Sequence, residues 1–284
     1  VLELRNVSFA YPRCPYVIRD ISLTLERGAT LGLMGENGSG KTTLASLMCG
    51  LLSPVEGDVL VDGFGTRDEA SVHEIRRRVG IVFQDPDEQL VETTVEREIG
   101  FGLRNLGLEP SKVAVRVDRA LAIFGIEHLR RRSCYLLSAG EKQLVAVASV
   151  FAMEPDYVLL DESTSLLDAR ARVGLVEAVE RLIAETGAGL VFISMRLEDV
   201  WMCDRVAFLR EGAVAFTSGK EDLAVRIAGL GLSLPGLAYM MNRLQGVVPD
   251  LGKRLAAGRS VSADSIYGAL ARLTSGTGGG ADCP

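Results

Sequence analysis

Gly35-Glu36-Asn37-Gly38-Ser39-Gly40-Lys41-Thr42 stands between the apolar run Thr30–Met34 and the helical run TTLASLMCGLL, and that placement decides the fold. The stretch fits G-x-x-x-x-G-K-[ST]. Its glycines let successive backbone N–H groups turn toward an anion, and the helix that follows adds the positive end of its dipole. Lys41 then reaches the β- and γ-phosphates of a nucleotide, and Thr42 offers a hydroxyl to Mg2+. The candidate ATP-binding positions are Gly35, Asn37, Gly38, Ser39, Gly40, Lys41, Thr42 and Thr43. An ordinary glycine turn matches the same letters but does not call for a strand before it and a helix after it.

Reading outward, strand patterns precede the loop in LELRNVSF and ISLTLERG, and a strand resumes at DVLVDG after Pro54-Val55-Glu56-Gly57 breaks the first helix. Arg78–Gln84 reads as a buried strand, and Pro86 to about Ala152 as mostly helical. Tyr157–Leu160 is wholly apolar, as a central parallel strand is, and ends in Asp161-Glu162. Arg170–Thr186 is an amphipathic helix with Val173, Val176, Val179 and Leu182-Ile183 on one face, and Gly189–Ser194 and Arg205–Leu209 are further strands. Strands alternating with helices around a phosphate loop imply an α/β fold: a P-loop NTPase core with a mostly parallel sheet, an antiparallel β edge and a helical insertion. The expected division is a core over 1–85 and 153–219, an insertion over 86–152, a small helical appendage over 220–275 and a disordered tail over 276–284. An apolar strand ending in two acids puts both at the sheet's carboxyl edge beside the phosphate loop. There Asp161 holds Mg2+ through water, and Glu162 polarises the attacking water.

The 284 residues carry a net charge of −6, with 48% hydrophobic and 24% charged residues, a soluble globular profile that lends no support to a nucleic-acid-binding surface. The runs Arg76–Arg78 and Arg130–Arg132 read as solvated helix faces or partner contacts. Ile227–Asn242 is interrupted by Pro235 and too short to span a bilayer, and VLELRNVSFAYP has no signal-peptide core, so the expectation is a cytosolic chain that meets a membrane only through a partner. The cysteines, Cys14, Cys49, Cys134, Cys203 and Cys283, are scattered without a CxxC pair and read as reduced thiols.

Leu137-Ser138-Ala139-Gly140-Glu141, between the phosphate loop and the Asp161-Glu162 strand, resembles the LSGGQ signature of ATP-binding cassettes. The resemblance implies that Ser138, Gly140 and the helix N-terminus point at the γ-phosphate held by an opposite subunit. It makes Ser165-Leu166-Leu167-Asp168 the D-loop, Gln84 the glutamine that senses Mg2+ and water, and Tyr11 the ring that stacks on adenine. Gln84-Asp85-Pro86-Asp87-Glu88-Gln89-Leu90 with TVEREIGFGLRNLGL, Gly140-Glu141-Lys142-Gln143 and the C-terminal LSLPGLAYMMNRL…RSVSADSIYGAL is similar to the ATPase subunits of energy-coupling-factor (ECF) importers of vitamins and transition-metal ions. That likeness implies a dimerising C-terminal domain, a second ATPase subunit, a transmembrane coupling subunit docked on the acidic stretch Asp85–Glu88, a membrane subunit that binds substrate, and a place on the cytoplasmic face of the membrane.

The chain departs from the family where a histidine follows the strand after the D-loop: here Met195 follows Val191-Phe192-Ile193-Ser194, and no histidine occurs after His128. Methionine cannot donate a hydrogen bond to the γ-phosphate. Ala139 for glycine, Leu144 for arginine and Ser163 for proline are further departures. Together they imply the weaker member of an unequal pair, so a heterodimer is favoured over a homodimer. A soluble non-transport ATPase and a nucleotide-gated subunit with little hydrolysis of its own are the alternatives.

Overall fold

The computed structural model describes residues 1–219, Leu223 and Arg226; the appendage over 220–275, those two residues aside, and the tail over 276–284 lie outside the described residues. Alternating apolar residues make the first 25 residues two long antiparallel strands, β1 (Leu2–Ala10) and β2 (Tyr16–Leu25). Leu2, Leu4, Val7, Phe9, Ile18, Ile21 and Leu25 are their buried side chains. β3 (Thr30–Gly35) is buried at every position and feeds the phosphate loop, which opens α1 (Lys41–Met48). β4 (Glu56–Val61) turns through Asp62 and Gly63, both at positive φ (50° and 87°), into β5 (Phe64–Gly65). Two consecutive left-handed residues match the twist of a tight hairpin.

α2 (Glu69–Arg78) is capped by the Asp68 carboxylate, which accepts from the Ala70 N–H, and precedes β6 (Val79–Val82). Three helices follow: α3 (Val95–Asn105), α4 (Pro110–Phe124) and α5 (Ala139–Ala152). Then come β7 (Tyr157–Asp161), α6 (Ala169–Thr186), β8 (Gly189–Ile193), the single turn α7 (Leu197–Val200), β9 (Arg205–Arg210) and β10 (Ala213–Gly219).

The strands form two sheets. One is antiparallel, in the order β2-β1-β4-β5; the other has the order β10-β9-β3-β8-β7-β6 and is parallel except for the β10–β9 edge. The expected parallel sheet with an antiparallel edge is therefore present. Because strand side chains alternate, the large sheet has two apolar faces. Val158, Leu160, Leu190, Phe192 and Phe208 pack with the helices α3 to α6, whereas Leu33, Leu159, Val191 and Ala207 pack with β1, β2 and α1. The phosphate loop and the Asp161-Glu162 pair thus leave the same carboxyl edge of a sheet held on both faces.

Some local expectations differ. The first two strands are longer than a reading of short strands implies, and they belong to a separate sheet. Val173 is 53% exposed and Val176 only partly buried; the buried stripe of α6 keeps Val179, Leu182 and Ile183 of the expected face and adds Leu175 and Ala178. Much of the arginine runs is paired internally: Arg130 reaches Glu96 at 2.9 Å and Asp118 at 2.6 Å, and Arg78 reaches Asp62 and Asp156. Among the described residues Cys14 is exposed and Cys49, Cys134 and Cys203 are buried, and no helix is long and apolar enough to cross a membrane.

Candidate functional site

The phosphate loop needs its glycines for space as well as for freedom. Gly35 (φ 154°) lies against the Leu209 carbonyl, where a Cβ would collide, and at Gly40 (φ 101°) a Cβ would come within 2.6 Å of Ile18 Cδ1. Gly40 in the left-handed region is also the N-cap of α1, so the helix starts at Lys41 with no side-chain cap on its first N–H groups. Those donors face outward, as an anion-binding helix terminus requires. The Lys41 ammonium folds back over the loop and donates to the carbonyls of Gly35 and Glu36, both at 3.0 Å. Burial pushes its pKa down, while the carboxylates of Glu162 and Asp161 hold it up.

A cleft of about 420 Å3 opens over this loop, lined by Val17, Asn37, Gly38, Gly40, Lys41, Thr42, Thr43, Gln84 and Glu162. Gln84 lies 78 residues from Glu162 in the chain but follows β6, whose neighbour β7 carries the two acids, and its Nε2 donates to Glu162 Oε2 at 3.1 Å. Glu162 sits at φ 46°, uncommon for a residue with a side chain, and its N–H donates to the Ile193 carbonyl at 3.0 Å. Left-handed backbone at a non-glycine residue costs of order 1–3 kcal/mol and recurs where a side chain must be aimed.

Asp161 is 1% exposed, and neither carboxylate oxygen has a hydrogen-bond partner. Burial pushes its pKa up; the adjacent Thr42 hydroxyl and the Lys41 charge pull it back, and the Glu162 charge adds to the rise. Thr42 is thus close enough to act on the carboxyl without making a well-formed bond to it. A buried carboxylate with two orphaned oxygens beside a hydroxyl and below an anion cradle fits a hard divalent cation held by oxygen and water. This orphaned charge opposes folding of the nucleotide-free chain. Because the folded pKa lies above the unfolded one, the cost is full above the folded pKa and fades as pH falls through it toward the ordinary carboxylate range. Asp161→Asn is therefore expected to raise the Tm of nucleotide-free protein at pH 7 by a few degrees, for about 1–2 kcal/mol. The gap to wild type should narrow on acidification, and Mg2+ should no longer strengthen ATP binding. Calorimetric melting across pH checks this, and a lower Tm for the variant at pH 7 contradicts it.

Tyr11 is 41% exposed at the end of β1, packs edge-on against Phe9 with centroids 5.0 Å apart, and shares a hydrogen bond with the buried Thr43 hydroxyl at 3.2 Å. Its ring is therefore tethered to α1 beside the phosphate loop.

The segment 137–141 does not line this cleft. Ser138 is the N-cap of α5, and with Glu141 it forms a capping box. Glu141 Oε2 accepts from the Ser138 N–H at 2.7 Å and its hydroxyl at 2.8 Å, and these bonds hold the Glu141 pKa down. S-x-x-E is the pattern of such a cap, and here it engages the serine hydroxyl as well as the backbone. Gly140 lies against Leu166 and Leu167: a Cβ there would be 3.3 Å from the Leu166 carbonyl. Asp168 caps α6, accepting from the Ala171 N–H at 2.8 Å. Met195, partly buried, is the second residue after β8.

The acidic stretch after Gln84 is not a free negative patch. Asp85 accepts the Asp87 N–H at 2.9 Å, and Asp87 is bridged by Lys142 of α5 at 2.5 Å. Gln143, fully buried, donates from the same helix to the Phe83 carbonyl at 3.4 Å. Beside it lies a second cleft of about 450 Å3, walled by Leu51, Phe83, Phe101 and Met153 and rimmed by His73, Arg76 and Arg77.

The family model described as ABC transporter matches residues 18–165. The chain is 41% identical over 249 residues to the energy-coupling factor transporter ATP-binding protein EcfA of Methanosarcina acetivorans, covering 86% of this chain and 90% of that one. It is 37% identical over 280 residues to the cobalt import ATP-binding protein CbiO of Syntrophus aciditrophicus, covering 94% and 100%. Among solved structures, cbiO1 of Clostridium perfringens, described as part of the ABC transporter complex cbiONQ, superposes with a TM-score of 0.72 at 30% identity, over 85% of this chain and 98% of that chain.

Proposed function

The chain belongs to the ABC transporter family of ATPases, and from that premise we propose that it is the ATP-binding subunit of an ECF-type importer, using ATP binding and hydrolysis to move a vitamin or a transition-metal ion across a membrane. The observation that carries the site reading is the convergence of Lys41, Asp161, Glu162 and Gln84 at one sheet edge around the cleft over Gly35–Thr43. Adenine stacks on Tyr11. The loop N–H groups and the α1 terminus hold the α- and β-phosphates, and Lys41 turns from its carbonyl partners to the β- and γ-phosphates. Thr42, Gln84 and Asp161 would hold Mg2+, which would supply positive charge to offset that of the phosphates. Glu162, aimed by its strained backbone and by Gln84, takes a hydrogen bond from the attacking water.

No residue of 137–141 lines the cleft, which supports the reading that Ser138 and Gly140, with Asp168, serve a neighbouring chain's nucleotide. The division into a core over 1–85 and 153–219, an insertion over 86–152 and a C-terminal dimerisation domain over 220–275 follows the same reading. Met195 and Ala139 weaken sites built from two copies of this chain, which favours a more orthodox second cassette as partner.

The membrane-coupling face is the apolar cleft beside Gln84, whose rim is basic, instead of the acidic stretch alone. Phe101 is 40% exposed there and Leu51 48%. Phe101→Asp places a charge on that wall while leaving the nucleotide cleft untouched. The expected result is loss of the membrane subunits on purification from membranes, with Mg-ATP affinity within about twofold of wild type, because a desolvated charge at an interface core costs several kcal/mol. Undiminished copurification moves the coupling face elsewhere; a wild-type chain that purifies with no membrane protein removes the importer reading.

A further inference from the structure

Asp199 is 1% exposed on the single turn α7, and none of the roles assigned above uses it. Its Oδ2 accepts hydrogen bonds from the Thr164 hydroxyl at 2.6 Å and the Ser194 hydroxyl at 2.8 Å, while its Oδ1 lies 3.9 Å from Arg172 Nε. The Ser194 oxygen in turn accepts the Arg196 N–H at 3.0 Å, closing the turn that contains Met195. Thr164 is buried on the other side, between Glu162 and the D-loop residue Asp168, and Arg172 belongs to the first turns of α6, which Asp168 caps. One buried carboxylate therefore ties the stretch from the turn after Glu162 into the start of α6 to the turn that contains Met195.

A buried carboxylate needs hydrogen bonds and a counter-charge to be tolerated, and here its partners come from both stretches. An apolar side chain would fill the same space without directional restraint. Short bonds to two hydroxyls fix the relative position of their backbones to a few tenths of an ångström, the scale on which placement of a catalytic group matters.

We propose that Asp199 is a positioning residue for ATP hydrolysis, locking the turn after Glu162, the Met195 turn and the start of α6 into one unit. The proposal rests on Glu162 acting on the attacking water. Through Thr164, Asp199 sets the path of the chain leaving Glu162, whose own N–H is bonded to Ile193 one residue before Ser194. With methionine at 195 unable to bond phosphate, the restraint on that turn comes from behind, through Ser194 and Asp199.

The test compares wild type, Asp199→Asn, Thr164→Val and their combination in the membrane complex, with Glu162→Gln as reference. Asp199→Asn should lower kcat about 10- to 100-fold while leaving the KM and Kd for Mg-ATP within about twofold. Thr164→Val should cause part of the same loss, and the double variant no more than Asp199→Asn alone, as one shared restraint demands. In nucleotide-free chain, amide hydrogen exchange at 164–168 and 194–197 should quicken together in Asp199→Asn, with the strands of the large sheet unchanged. A folded Asp199→Asn protein with wild-type kcat, or exchange that rises in one segment only, overturns the proposal. A general fall in Tm with kcat and Kd worsening in parallel also overturns it, leaving a packing role. Should Glu162→Gln hydrolyse ATP like wild type, the assignment of Glu162 fails, and the exchange result alone then decides whether Asp199 joins the segments.

Discussion

Lys41→Ala binds Mg-ATP at least about 100-fold more weakly than wild type, and its far-ultraviolet spectrum and cooperative melting are retained. Two charge-assisted bonds to phosphate, each of about 1.5–3 kcal/mol, account for that factor. The structure adds a second reason. The carboxylates of Asp161 and Glu162 both act on Lys41, so its removal leaves uncompensated negative charge facing the triphosphate. The ammonium is already desolvated and held on the loop by the carbonyls of Gly35 and Glu36, which lowers the cost of moving it to phosphate oxygens. Alanine is a good residue at the start of α1, so the helix itself survives. Isothermal calorimetry decides the matter: equal affinity in folded variant and wild type removes residues 35–42 from the nucleotide site.

Glu162→Gln is expected to slow hydrolysis by about 10²- to 10³-fold while ATP binding is kept, trapping an ATP-bound dimer. The amide preserves the size of the side chain and can still accept the Gln84 Nε2–H, so the arrangement survives and only the basic oxygen is lost. Quench-flow measurement on the intact membrane complex is the direct check. An unchanged rate there assigns turnover to the partner's site or to another base. Met195→His in the same assay measures the other handicap: acceleration is expected where this chain's own phosphate loop forms the site, and no change in either the isolated chain or the complex makes Met195 a neutral replacement.

The site was readable where its chemistry is local. The phosphate loop is eight consecutive residues with one purpose, and the Asp161-Glu162 pair ends an uninterrupted apolar strand, which is why topology could be inferred from two short stretches. Glu162 is read from the strand it ends and Gln84 from the resemblance, and their 3.1 Å contact arises because β6 and β7 pair in parallel. What was not readable is held by distance. Thr164, Ser194 and Asp199 are unremarkable letters that no periodicity marks: the Ser194–Asp199 bond closes within five residues, but Thr164 reaches the same carboxylate across 35. Val173 was assigned to the buried stripe of α6 on spacing alone, yet the layer of α4 and α5 meets that helix on an adjacent face and leaves it in solvent. The acidic letters at 85–88 do not reveal that Asp87 is bridged by Lys142, because that lysine is supplied by the distant helix α5. Helix caps lie between these extremes: Ser138 and Glu141 were visible as a pattern, but which proton goes to which oxygen required coordinates.

The distribution of thiols has a practical consequence. Burial pushes Cys49 and Cys134 up to about 11, so at neutral pH almost none of either is thiolate, and Cys203 is fully enclosed. Cys14 is the exposed thiol among the described residues, in the turn whose N–H donates to the Tyr11 carbonyl. With Cys283 replaced by serine, a maleimide dye therefore attaches at a single position beside Tyr11, the residue proposed to stack on adenine. Its emission then becomes a real-time gauge of nucleotide arrival and departure, obtained without touching any side chain that binds or cleaves ATP.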